Sequence, residues 1–150
     1  MKTSLNGLNL IKKYEGIKTS PYIDSGGLWT VGIGHLIGDG RTLPAEWNRL
    51  LTVNECLALL ARDVARFERG IERLISVRLT QNQYDALICF TYNVGLGALQ
   101  RSSIRQKINR GDTKGAVKSF YKYNKDNGKV VKGLTARRNA EAILFCKVSS

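Results

Sequence analysis

The sequence is short of the residues that staple or stiffen a small protein. Its 150 residues include three cysteines, two prolines and one histidine. Cys56, Cys89 and Cys146 are an odd, widely spaced set with no CxxC, and only His35 could add an imidazole. Neither a zinc site nor a disulfide framework is expected, and no metal or cofactor is implied. Reduced, mostly buried thiols fit a protein made and kept in a cytosol. Asn6, Gly7 and Asn9 interrupt the N-terminus, which lacks the apolar run of ~7–15 residues that a signal peptide needs. No stretch approaches the ~20 apolar residues of a membrane span. Carboxylates are scarce as well: 12 Asp and Glu face 24 Lys and Arg, a net charge of +12. That excess favours polyanionic partners, and by itself leaves nucleic acid, an anionic membrane surface and an acidic cell-wall polymer equally open.

What is present suffices for a packed core. Hydrophobic residues make up 43% of the chain, which excludes disorder, and the length points to one domain with two lobes. Residues 4–14 read as a short helix with Ser4 as its N-cap and Leu5, Leu8 and Ile11 on one face. Residues 16–42 interleave seven glycines with Tyr22, Ile23, Trp29, Val31 and Ile33, the composition of short strands and tight turns. Ser25-Gly26-Gly27 is the expected hairpin turn. Thr52 with Glu55 forms a capping box ahead of Leu57, Leu60, Val64, Phe67, Ile71 and Leu74, one apolar stripe on a long helix. Thr80 with Gln83 and Ser103 with Gln106 repeat the capping signal, and Asp112 or Thr113 opens a further helix. Lys125 to Gly133 reads as a polar loop before a last helix over about 135–145. The expected fold is α+β: a β-containing lobe over about 12–55, and a larger helical lobe over about 56–150 that takes in the N-terminal helix. A cleft between two such lobes is a natural ligand site.

Three residues stand out for chemistry. Glu15 falls at the predicted C-terminal end of the first helix, where the negative end of the helix dipole disfavours an ionised carboxylate. That suits a group that must give up a proton, whereas capping preference would place Lys or Arg there. Asp24 lies just before the hairpin turn and Thr30 in the strand after it. Taken singly, each has an ordinary structural explanation: a surface glutamate, a turn-shaping aspartate, a β-branched strand residue. Two carboxylates in unlike settings can divide the work of glycoside hydrolysis, one donating a proton and the other activating water or stabilising positive charge.

Their order and spacing carry more. Glu15-Gly16, then Pro21-Tyr22-Ile23-Asp24, then Thr30-Val31-Gly32-Ile33-Gly34-His35 resembles the signature of the phage-type lysozymes, glycoside hydrolase family 24. Asn93-Val94-Gly95, Ile108-Asn109-Arg110-Gly111-Asp112 and Gly133-Leu134 with Arg137-Arg138 and Glu141 continue the resemblance over roughly residues 8–145. It implies a lysozyme-like fold and a muramidase that cuts the β-1,4 bond between N-acetylmuramic acid and N-acetylglucosamine in bacterial peptidoglycan. Glu15 is the implied proton donor, Asp24 the second carboxylate and Thr30 a neighbour of the attacking water. Leu36, Tyr92, Ser103 and Lys118 fall where family members contact the glycan or its peptide, and His35 is read as structural support. The resemblance further implies an endolysin that is released through the inner membrane with a phage holin and lyses the host cell; a monomer is the default expectation, and no nucleic-acid partner is expected.

Other readings stay open at this level. A lytic transglycosylase needs an acid but no positioned water, and Asp24 with Thr30 speaks against it. A basic protein that binds without catalysis would show a nucleic-acid motif, and none is visible. The last helix carries Lys132, Arg137, Arg138 and Lys147 around Ala140, Ile143 and Leu144. Packing on the core is its expected use, and contact with an anionic outer-membrane surface is the alternative.

Overall fold

The computed structural model describes residues 1–148. Among them the chain forms, in order, α1 (Leu5–Glu15), β1 (Lys18–Ile23), β2 (Trp29–Gly32), β3 (His35–Leu36), α2 (Val53–Leu74), α3 (Gln81–Val94), α4 (Leu96–Arg101), α5 (Ser103–Asn109), α6 (Thr113–Phe120), β4 (Lys125–Asp126), β5 (Lys129–Val130) and α7 (Lys132–Cys146). This is an α+β architecture. No helix of the described residues is long and apolar enough to cross a membrane. The chain divides into two compact units. One is Ile11–Ala65; the other joins Met1–Leu10 to residues 66 onward. The expected boundaries near 12 and 55 differ from these at the second crossing, which falls inside α2.

The reason lies in the smaller unit's core. Cys56 and Leu59, from the first turns of α2, pack with Val31, Ile37 and Leu51, and Trp29, Leu43 and Trp47 close over them. The start of α2 therefore belongs with the sheet. Its N-terminus is fixed by the expected capping box: the Glu55 N–H donates to Thr52 Oγ1 and the Thr52 N–H to Glu55 Oε1, both at 3.0 Å. Arg49 grips the same carboxylate at 2.6 Å, and this pairing first, then the Thr52 bond, holds Glu55 down to about 2. The sheet is antiparallel in the order β1-β2-β3. Its first hairpin turns at Ser25-Gly26-Gly27, closed by the Asp24 N–H donating to the Leu28 carbonyl at 2.9 Å.

In the larger unit α3 is buried from Tyr84 to Thr91 and packs against α7, while α6 packs against both α5 and α7. Phe90, Phe120 and Phe145 stack in a chain of tilted and edge contacts at its centre. Thr80 and Gln83 form the second expected capping box. Some expectations are refined here. Ser4 directly precedes α1 and its carbonyl accepts from the Leu8 N–H, while its own N–H and hydroxyl both donate to the Asp85 carboxylate on α3. The cap of α5 is Ser102, not Ser103, because Ser102 is the residue in extended backbone, and its hydroxyl accepts from the Arg105 N–H. Residues 125–133 are not merely a polar loop: β4 and β5 pair through Asn127-Gly128, both with positive φ, the turn that two-residue hairpins favour. Helix α7 then begins at Lys132, three residues before the expected start.

Arg137 and Arg138 belong to no basic surface: they are 3% and 0% exposed. Arg137 Nε and Arg138 Nη2 donate to Glu141 Oε2 at 3.2 and 3.1 Å, and Arg137 also donates to the Cys89 carbonyl at 2.9 Å. Arg138 Nε stands 2.7 Å from Glu141 Oε1 as an ion-pair contact without hydrogen-bond alignment. Burial opposes both charges, pushing the Glu141 carboxyl up and the Arg138 guanidinium down, while their mutual attraction works the other way.

Candidate active site

Glu15, Asp24 and Thr30 all lie in the smaller unit. Glu15 is the last residue of α1, and Gly16 takes the chain out of the helix toward β1. Its side chain is held against the backbone of Gly34, in the turn between β2 and β3. A Cβ at residue 34 would lie 2.6 Å from Glu15 Oε1 and 3.2 Å from Cδ. Only glycine leaves that space, and only glycine accepts the local φ of +70° without strain.

Asp24 does two jobs with one carboxylate. Its Oδ1 accepts from the Gly26 and Leu28 N–H groups, each at 2.9 Å, and so shapes the hairpin. Its Oδ2 points the other way, with Thr30 Oγ1 at 3.5 Å. The Thr30 hydroxyl donates at 3.0 Å to the Leu28 carbonyl, and the residue is only 4% exposed. The two oxygens of Asp24 thus face different partners, Oδ1 the turn and Oδ2 Thr30.

Tyr22 joins this group. It pairs directly with Thr30 across β1 and β2. Burial pushes its phenol above the ordinary tyrosine value, and the charges of Glu15 and Asp24 push the same way. His35 begins β3, with Nδ1 2.7 Å from Asp63 Oδ2 on α2 and its ring stacked on Trp47 at 5.4 Å. These contacts fit a supporting role for His35. Tyr22, Gly34 and Asp63 are the residues that sequence reasoning passed over. The first two sit inside the quoted motifs but were read as strand and turn composition. Nothing in the sequence marks Asp63 as the partner of a histidine 28 residues earlier.

A carboxylate at a helix end, with a second carboxylate, a hydroxyl and a tyrosine on the hairpin that follows it, fits acid-assisted cleavage of a glycosidic bond. The sequence matches the phage lysozyme family over residues 12–141. The chain belongs to the phage lysozyme family. It is similar to the endolysin of Bacillus phage B103, 40% identical over 97% of this chain, of whose length it spans about half (54%). It is also similar to the endolysin of Acyrthosiphon pisum secondary endosymbiont phage 1, 39% identical over 97% of this chain and 98% of that protein. Among solved structures it resembles the muramidase domain of SpmX from Asticaccaulis excentricus, 30% identical, with a TM-score of 0.86 over 98% of this chain and 99% of that one. The fold is the lysozyme-like α+β fold.

The four residues that the phage lysozyme resemblance marks for glycan contact fall in both units. Leu36 is 43% exposed on β3 and paired with Thr30 across the sheet. The other three belong to the larger unit. Tyr92 lies near the end of α3, its ring 5.3 Å from that of Phe67. Ser103 opens α5, its hydroxyl 3.4 Å from that of Ser119 on α6, and Lys118 is exposed one residue before Ser119. Among the described residues no group of three or more His, Cys, Asp or Glu side chains is arranged to hold a metal ion.

Proposed function

We propose that this chain is an endolysin, a muramidase that hydrolyses the β-1,4 bond between N-acetylmuramic acid and N-acetylglucosamine in bacterial peptidoglycan. The observation that carries the reading is the division of Asp24. One oxygen is spent on the turn that fixes it, and the other is presented beside a buried threonine hydroxyl. Glu15, steadied against Gly34, protonates the departing glycosidic oxygen. Asp24 and Thr30 serve the other side of the reaction, where a water must be held and positive charge on the sugar ring must be offset. Leu36, Tyr92, Ser103 and Lys118 contact the glycan or its peptide. The net charge of +12 attracts the chain to an anionic wall. As a host-made lysis enzyme it acts as a monomer on the wall once a holin has opened the inner membrane.

The test is clearing of chloroform-treated Gram-negative cells, paired with analysis of the released sugars. The wild-type protein should clear the suspension and release free reducing ends, and folded Glu15→Gln protein should do neither. Products with anhydro ends would replace hydrolysis by a transglycosylase reaction. Lysis by Glu15→Gln at the wild-type rate would remove Glu15 from the role of acid.

A further inference from the structure

Three observations single out Tyr22. It is the direct cross-strand partner of Thr30, and paired residues project from the same face of a sheet. Tyr22 therefore stands on the face that carries Thr30 Oγ1 and, 3.5 Å beyond it, Asp24 Oδ2. The register of β1 slips between Lys18 and Tyr22, an irregularity of the kind that re-aims a side chain near a functional site. Finally, Lys18 Nζ sits 4.4 Å from the centre of the Tyr22 ring, bracing a half-buried side chain. Yet the Tyr22 hydroxyl makes no hydrogen bond among the described residues. A braced aromatic body with an unspent O–H at its tip is well suited to a polar ligand, because little ordering remains to be done on binding.

From this geometry we propose that the Tyr22 hydroxyl is a glycan-binding contact at the Glu15 and Asp24 carboxylates, donating a hydrogen bond to an N-acetylhexosamine unit of the substrate. The proposal rests on the muramidase reading above. Burial and the two flanking carboxylate charges keep the phenol protonated, so it acts as a donor throughout the neutral range. The contact is made in the bound and reacting states alike, and its loss should appear in KM.

The experiment compares Glu15→Gln with Glu15→Gln/Tyr22→Phe, titrating each calorimetrically with a β-1,4-linked N-acetylglucosamine oligosaccharide. Removing one hydrogen bond to the sugar should weaken affinity about tenfold. In the active protein, Tyr22→Phe should raise KM by a similar factor with kcat within about twofold of wild type. Thermal midpoints of each pair should agree. Equal affinities would overturn the proposal, as would an affinity loss matched by a loss of folded protein. Suppose instead that the wild type releases no reducing ends but the double variant still binds the oligosaccharide more weakly than Glu15→Gln. The muramidase reading then falls and the Tyr22 contact stands.

Discussion

Replacing Gly34 by alanine tests how closely Glu15 is placed. The added methyl would meet Glu15 Oε1 at 2.6 Å, while ordinary contact begins near 3.4 Å, so the carboxylate must retreat by about 0.8 Å. A misplacement of about 1 Å at a reacting group costs on the order of 100-fold in rate. Gly34→Ala should therefore lower kcat/KM by about two orders of magnitude. The left-handed backbone adds strain of ~1–2 kcal/mol. At ~2–4 °C per kcal/mol for a chain of this size, the melting midpoint should fall by ~2–8 °C. Gly111→Ala separates the two effects. Gly111 has a φ of +82° but nothing within 4 Å of its added Cβ, so it should lose similar stability and keep its activity. The assays are reducing-end release from a soluble glycan and calorimetric melting. Gly34→Ala with more than about a third of wild-type activity would refute the argument from misplacement. Equal activity losses in the two variants would trace the effect to strain alone.

Glu141→Gln leaves two buried guanidiniums without their counter-charge. It should cost ~3–5 kcal/mol in urea unfolding, and a loss below ~1 kcal/mol would show that the arginines find other partners. Arg49→Ala removes the main cause of Glu55's lowered value. In the NMR titration of Glu55 the midpoint should climb from about 2 toward the ordinary carboxylate range, and a midpoint unmoved from about 2 would refute the assignment. Because the folded value is lowered, the stabilisation that Glu55 contributes is present above the ordinary carboxylate value and lost as pH falls through about 2.

Local rules were legible where the signal is local. Thr52 with Glu55 and Thr80 with Gln83 announce helix starts because both partners sit within one turn. At Ser102-Ser103 two equivalent residues adjoin, and only the backbone conformation decides which one caps. The β4–β5 hairpin was hidden because its strands are lysine-rich and lack the β-branched alternation, although Asn127-Gly128 is itself a turn signal. At the candidate site, Glu15, Asp24 and Thr30 could be named as candidates from order and spacing. The remaining relations depend on register and tertiary approach. Tyr22 meets Thr30 only once two strands are paired, Glu15 meets Gly34 only once α1 reaches the second turn of the sheet, and Asp63 is brought to His35 by a helix packed against that sheet.

The double duty of Asp24 bears on how this family of loops can change length. Because one carboxylate oxygen is hooked to the N–H groups of Gly26 and Leu28, inserting even one residue between 24 and 28 would unhook it and swing its working oxygen away from Thr30. Insertions should therefore be barred at the hairpin, so that a library of random length variants selected for lysis would show a gap at residues 24–28.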